Sequence, residues 1–356
     1  MSKRIIFIAP YPHTQAPSQR FRFEQYLGIL EESGFEIEVH PFLNEKDWAP
    51  LYKKGSFLLK AFGMLRSFAR RFGLLFKLRK FDCVFIHREA SMIGPPVFEF
   101  IIAKILKKKY IYDFDDAIWL PNYSQSNARF HKLKAYGKVK HIIRWADQVC
   151  VGNEFLKSYA LEFNSNVQVI PTTVDTINVH NKITDHDSEE LIIGWTGSHT
   201  TMDYLPFLVP VLQRLEKEFK FKFRIISNHP PQFQLDSLEF VKWNKDTEIE
   251  DLSKINIGVM PLEDSLWTEG KCGFKGLQYM ALQIPSVMSN VGVNNEIIDS
   301  KRNGFLCETE DDWYSTLHEL MSKPELRKSI GTAGQETVKN NYSVEANTPK
   351  YKALFQ

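Results

Sequence analysis

The chain has 356 residues, 43% of them hydrophobic, and a formal net charge of only +2. That length and apolar content suit two domains with filled cores and exclude a mainly disordered chain, while the near-neutral balance excludes a nucleic-acid binder working through a strong basic excess. Four cysteines, Cys83, Cys150, Cys272 and Cys307, are scattered without a C-x-x-C pair, so neither a zinc ribbon nor a disulfide framework is expected.

Met1-Ser2-Lys3-Arg4 precedes an apolar run too short for a signal peptide, and no segment nears the roughly twenty apolar residues that span a bilayer. A reduced, cytoplasmic protein is expected. Ile5 to Ala9 reads as a first strand and Ser18 as the cap of a helix to Glu32; Gly34 stops that helix before the alternating run Phe35 to Val39. Arg20 and Arg22 stand in the first helical turn, where cations are disfavoured, so an acidic ligand or a surface ion pair is expected to hold them. Further strands are expected at Cys83 to Ile86, Tyr110 to Phe114, Gln148 to Val151 and Val167 to Ile170. Near-continuous apolar strands alternating with helices predict a parallel sheet covered on both faces, with ligands beyond the strands' carboxyl ends.

Between Leu51 and Phe81 there is no acidic residue, whereas Lys53, Lys54, Lys60, Arg66, Arg70, Arg71, Lys77, Arg79 and Lys80 alternate with apolar side chains. Leu58, Phe62, Leu65, Ala69, Phe72 and Phe76 recur at steps of four and three and draw one apolar stripe. Two readings stay open: a helix lying on an anionic membrane surface, or one whose stripe covers the sheet.

His87-Arg88-Glu89 and Asp113-Phe114-Asp115-Asp116 follow two of the expected strands. Strand alternation sends Asp113 and Asp115 to one side, and three carboxylates this close need a cation; Arg88 is the natural partner. A D-x-D metal site ranks second, and N-capping by Asp115 or Asp116 is the structural alternative.

Pro171 to Asp175 ends the first half, and the polar stretch from Thr176 to Glu190 reads as a linker. A second series of strands is expected at Leu191 to Trp195, Phe223 to Ser227, Glu239 to Trp243, Ile255 to Met260 and Ser286 to Ser289. The turn Gly197-Ser198-His199-Thr200-Thr201 offers hydroxyls and a histidine, and Pro261 to Asp264 lies at another strand end. Glu269-Gly270-Lys271-Cys272-Gly273-Phe274-Lys275-Gly276 then feeds an apolar helical run from Leu277 to Ala281. Glycines, a helix N-terminus and two lysines four residues apart are receptive to a polyphosphate. Two helices, Asp311 to Met321 and Pro324 to Asn340, and a last helix from Val344 to Phe355 complete the chain.

From Gly270 to Glu296 the order of glycine-rich entry, Leu277-Gln278-Tyr279-Met280-Ala281, Ile284-Pro285-Ser286-Val287-Met288-Ser289, then Gly292 and Glu296 resembles the donor-binding segment of glycosyltransferase family 4. The resemblance covers about the last third of the chain. It implies an α/β fold of the GT-B type, with two Rossmann-like domains facing across a cleft: 1–175 on the acceptor side with 341–356 packing back on it, a linker at 176–190, and 191–340 holding a nucleotide sugar. It implies retaining hexosyl transfer to a glycan or lipid-linked acceptor in surface-glycan synthesis, with the nucleotide-diphosphate sugar as co-substrate and neither cofactor nor metal. Gly197, Ser198, His199, Thr200, Lys271, Lys275 and Gln278 then fall on the donor side, Arg20, Arg88, Glu89 and Asp113 on the acceptor side, and Asp115, Asp116 and Glu269 at the reacting centre. The family's two glutamates are replaced here by Gly270, next to Glu269, and by Gln278. That change keeps two other readings in view, a nucleotide-sugar epimerase of the same fold and a non-catalytic sugar-nucleotide-binding subunit of a membrane assembly.

Overall fold

The computed structural model describes residues 2–52, 55, 57–122 and 131–356; Lys53 and Lys54 lie outside it, as do the side chains of Leu51, Tyr52, Phe57 and His199. The chain divides into two compact units, Met1–Thr172 with Thr348–Gln356, and Thr173–Asn347.

The first unit holds a six-stranded parallel sheet of β1 (Arg4–Ala9), β2 (Glu36–Pro41), β3 (Cys83–His87), β4 (Tyr110–Phe114), β5 (Gln148–Val151) and β6 (Val167–Val169), in the order β2-β1-β3-β4-β5-β6. The interior strands β1, β3 and β4 are almost wholly buried, as strands covered on both faces must be, whereas the edge strand β2 is half exposed. The order reverses between β1 and β3, which puts a topological switch point at their carboxyl ends. The helix expected from Ser18 to Glu32 is broken into a short helix Pro17–Arg20, a 3₁₀ turn Glu24–Tyr26 and a helix Leu27–Glu32. Its start is set by Pro17 after Ala16 and receives no side-chain cap, so Ser18 does not act as one.

The second unit repeats the plan with β7 (Ile192–Thr196), β8 (Lys222–Ser227), β9 (Leu238–Lys242), β10 (Ile257–Met260), β11 (Ser286–Ser289) and β12 (Phe305–Cys307), ordered β12-β11-β10-β7-β8-β9. Every adjacent pair is parallel, and the reversal falls between β7 and β10. Buried Trp195, Trp313 and Leu212 fill the layer between this sheet and its helices. Strand β12, three residues long, was not expected.

Residues 176–190, read as a linker, are pinned to the second unit. Thr184 N–H donates to the Leu282 carbonyl at 3.0 Å, Asn256 Nδ2 donates to the Asp185 carbonyl at 2.9 Å, and His180 is fully buried. The last helix, Val344–Ala353, leads into residues that belong to the first unit, where Tyr351 stacks on Tyr26 with ring centroids 4.1 Å apart.

The helix Phe57–Lys77 packs through a mixed face that includes Gly63, Ser67, Arg71 and Leu74. Ser67 and Arg71 are buried, while Leu58, Phe62, Leu65, Phe72 and Phe76 are exposed. The reading in which the apolar stripe covers the sheet is therefore wrong: Arg71 donates to the carbonyls of His40 at 2.9 Å and Ala9 at 3.1 Å, and these bonds decide which side faces inward. Among the described residues no helix is long and apolar enough to cross a membrane.

Candidate functional site

In the second unit, the switch point brings together the turn after β7 and Lys275. Trp195, at the end of β7, is 1% exposed and supports the turn that follows it. A side chain at Gly197 would come within 2.6 Å of the Trp195 ring, so the glycine lets the turn lie flat on the indole. Ser198 Oγ lies 3.0 Å from Thr200 Oγ1 and 3.4 Å from Thr201 Oγ1, forming a cluster of hydroxyls at the strand end. Lys275 Nζ stands 5.6 Å from the Trp195 ring centroid, which brings the helix Phe274–Ala281 and the β7 turn onto one aromatic platform. Lys271 Nζ lies 4.7 Å from the Trp267 ring centroid. Both ammonium groups are thus held over indoles, although Lys271 precedes the helix and does not share its face with Lys275.

That helix begins at Gly273 in the left-handed region, φ +63°, without a side-chain cap. A Cβ on Gly273 would meet Ile297 Cδ1 at 2.3 Å, so only glycine brings the chain into the helix here. Farther along, Tyr279 lies against Gly258 of β10, and its hydroxyl accepts the buried Thr196 N–H at 3.0 Å. The end of β7 and the lysine helix are thereby locked together. Tyr279→Phe is expected to cost about 1–3 kcal/mol, because Thr196 N–H would lose its acceptor inside the protein. A urea midpoint unchanged from wild type would refute this.

A cavity of about 690 Å³ opens at the carboxyl ends of β10, β11 and β12, lined by Tyr204, Phe207, Leu262, Val291 and acidic Asp203, Glu263, Asp264 and Glu308. Asp203, Tyr204, Phe207 and Glu308 were not foreseen; they lie one to six residues beyond the end of β12 or of the turn 197–201, and only the fold draws them together. Cys307 also lines it, but burial pushes its thiol up to about 12, leaving it protonated and unreactive. Glu269 reaches this region: Gly292, next to the lining residue Val291, is so close that a Cβ there would be 3.3 Å from Glu269 Oε2. Gln278, expected on the donor side, is buried against another part of the chain. It is 2% exposed, and its Nε2 lies 3.2 Å from His180 Nε2, because the segment 176–190 packs over that side of the helix.

In the first unit, the carboxyl ends of β3 and β4 hold a charged cluster. Arg88 is paired with Asp115 at 2.8 Å and also with Asp116. Burial opposes the Arg88 charge, but the two carboxylates outweigh it and hold the guanidinium pKa well above its usual value. Arg88 adopts φ +58°, a strained conformation for a non-glycine residue, and its carbonyl accepts the Tyr112 hydroxyl at 2.7 Å. Asp113 does not join this cluster. It is 1% exposed, pairs with Arg22, and lies 2.7 Å from His87 Nδ1. Strand β4 ends at Phe114, so the alternation that would have put Asp113 and Asp115 on one side does not continue. Burial would raise the Asp113 carboxyl, yet Arg22 and His87 hold it at about 2. Arg22 therefore meets a buried aspartate, neither an acidic ligand nor a surface partner. Arg20 lies 4.8 Å over the Phe21 ring. Glu89 is 2.8 Å from Lys138 Nζ, and both are buried. Among the described residues no group of three or more His, Cys, Asp or Glu is arranged to hold a metal.

Residues 190–323 match the family model described as "Glycosyl transferases group 1". A stretch of 77 residues is 35% identical to alpha-1,3/1,6-mannosyltransferase ALG2 of Homo sapiens, covering 21% of this chain and 18% of that protein. The fold is similar to that of sucrose-phosphate synthase from Thermosynechococcus elongatus, with a TM-score of 0.73 at 14% identity over 99% of this chain and 98% of that one. It is also similar to HepE of Anabaena in complex with UDP-glucose, with a TM-score of 0.65 at 13% identity over 99% of both chains. The architecture of two parallel α/β sheets is thus that of the GT-B glycosyltransferases.

Proposed function

We propose that this chain is a glycosyltransferase that moves a hexosyl group from a nucleoside-diphosphate sugar to a glycan or lipid-linked acceptor, with retention of configuration. The observation that carries this reading is the switch point of the second sheet, where Lys275 stands over the Trp195 indole that underlies the turn bearing the hydroxyls of Ser198 and Thr200, with Lys271 on the loop that enters the same helix. The group 1 family match over residues 190–323 covers this assembly. UDP-glucose in the similarly folded HepE supports a nucleotide-sugar donor.

Charge divides the site. The carboxylates of Asp203, Glu263, Asp264 and Glu308 repel a diphosphate but accept hydrogen bonds from ribose and base donors. The nucleoside is therefore assigned to the cavity and the diphosphate to the lysine side. As the bond between the sugar and the diphosphate breaks, negative charge grows on the leaving group, and fixed ammonium groups stabilise it. Glu269, beside Gly292, is assigned to sugar hydroxyls. In the first unit, Asp115 and Asp116 are ion-paired by Arg88, which suits accepting a hydrogen bond from an acceptor hydroxyl better than removing a proton from it. No metal or other cofactor is invoked.

A second reading, a binding subunit without turnover, is favoured by the buried Gln278 and by Gly270 in place of the family's glutamates. One experiment separates them. Nucleoside diphosphates are screened by thermal shift, and a base matched to the cavity at one hundred times its Kd is expected to add about 2.7 kcal/mol of apparent stability. Sugar-loaded forms are then incubated with lipid-linked acceptors, and free nucleotide is expected only when acceptor is present. No stabilisation by any nucleotide sinks both readings; stabilisation without turnover on any acceptor selects the second.

A further inference from the structure

We propose that the exposed face of the Phe57–Lys77 helix seats this protein on an anionic lipid bilayer. An amphipathic helix in a globular unit ordinarily turns its apolar stripe inward. This one buries a mixed face, with Ser67, Arg71 and Leu74, and leaves its apolar stripe outside. Leu58 is 76% exposed, Phe62 and Leu65 are each 65% exposed and Phe76 is 86% exposed, all along one line of the helix. The inward face buries Leu74 and Ser67 and is tied down further by cations along its flank. Arg66 and Arg70 pair with buried Asp47 at 2.6 and 3.1 Å, Arg70 donates to the Phe42 carbonyl at 2.8 Å, and Arg71 reaches the ends of β1 and β2. The apolar ridge is therefore not a helix that has failed to dock. Its inward face is already packed, and the ridge is what remains for a partner.

The form and charge of the ridge select that partner. A 21-residue helix is about 30 Å long, and a single row of leucines and phenylalanines on a convex surface matches insertion at the headgroup boundary rather than a groove for a peptide. Lys77, Arg79 and Lys80 are exposed at its end, and no acidic residue occurs between Leu51 and Phe81. A second copy docked through the same face would set these cations against their own equivalents, with no acid in the segment to answer them. An anionic lipid surface answers all of them at once.

The full chain is sedimented with phosphatidylcholine vesicles that contain or lack phosphatidylglycerol. Binding is expected only to the anionic vesicles, and Phe62→Glu with Phe76→Glu is expected to abolish it. Lys77→Gln with Lys80→Gln is expected to weaken it roughly 25-fold, about fivefold for each charge. These positions are exposed, so thermal unfolding reports whether each variant remains folded, and the lysine pair stands as a second arm should the glutamates disturb the fold. Failure of the wild type to sediment with anionic vesicles, or unchanged binding by both variants, overturns the proposal. So does a wild type that ignores vesicles and runs as a dimer that the glutamate pair dissociates, which would assign the ridge to a second copy.

Discussion

Replacing Arg22 by alanine is expected to cost about 3–5 kcal/mol of folding free energy, because it takes the guanidinium away from a carboxylate buried inside the first unit and leaves it to His87. Arg22 and Asp113 are 2% and 1% exposed, and the guanidinium also donates to the Ile170 carbonyl, so three segments lose their common partner. Equilibrium urea unfolding measures the loss, and a cost below about 1 kcal/mol would show that Arg22 does not keep Asp113 ionised. Replacing both groups by apolar ones, Arg22→Met with Asp113→Leu, is expected to recover most of the stability, since no charge is then stranded. The wild type also carries a pH signature. The Asp113 pKa is about 2 in the folded protein, below the value near 3.8 of a free carboxyl, so its contribution is complete above about pH 4 and is lost as pH falls from there toward 2. The amount is about 2 kcal/mol. Asp113→Asn is expected to flatten that part of the stability profile.

Lys275→Ala is expected to weaken nucleoside-diphosphate binding by about 10- to 100-fold, the range of about 1.5–3 kcal/mol for a hydrogen bond to a charged group. The folded protein loses a cation–π contact with Trp195, worth about 0.5–1 kcal/mol, and the ligand-induced rise in melting temperature, taken from the variant's own unliganded value, should collapse. Isothermal titration with the best nucleoside diphosphate reads the effect directly. A Kd within twofold of wild type would remove the lysine side as the phosphate site and leave the proposed donor orientation without support. Lys275→Arg is expected to retain part of the affinity, because it keeps the charge but places it differently.

Much of the sheet framework was legible in the residues. Tyr110 to Phe114 and Gln148 to Val151 are apolar runs interrupted only by Asp113 and Gln148, and they form β4 and β5 with those limits. β12 escaped because three residues carry no period, and its place is set by pairing with β11. The helix from residue 57 was legible as amphipathic, but periodicity only separates two faces. Which one turns inward depended on Arg71 finding the carbonyls of Ala9 and His40, far away in sequence. The aspartate cluster failed in the same way. Arg88 does answer Asp115 and Asp116, its neighbours at adjoining strand ends, whereas Asp113 sits opposite His87 in the sheet register and takes Arg22 from 91 residues away. Gln278 was misplaced because the segment expected as a free linker folds over it.

The assignment of residues 348–356 to the first unit bears on how the protein is made. Tyr351 stacks on Tyr26, and Phe355 lies 5.8 Å from Phe7, so these aromatic rings belong to a core whose other members are synthesised before the whole second unit. While the ribosome is producing residues 173–347, the half born first still has an open seam where Tyr351 and Phe355 will lodge. It is then the more vulnerable half to proteolysis and to chaperone capture, although it has had the longer time to fold.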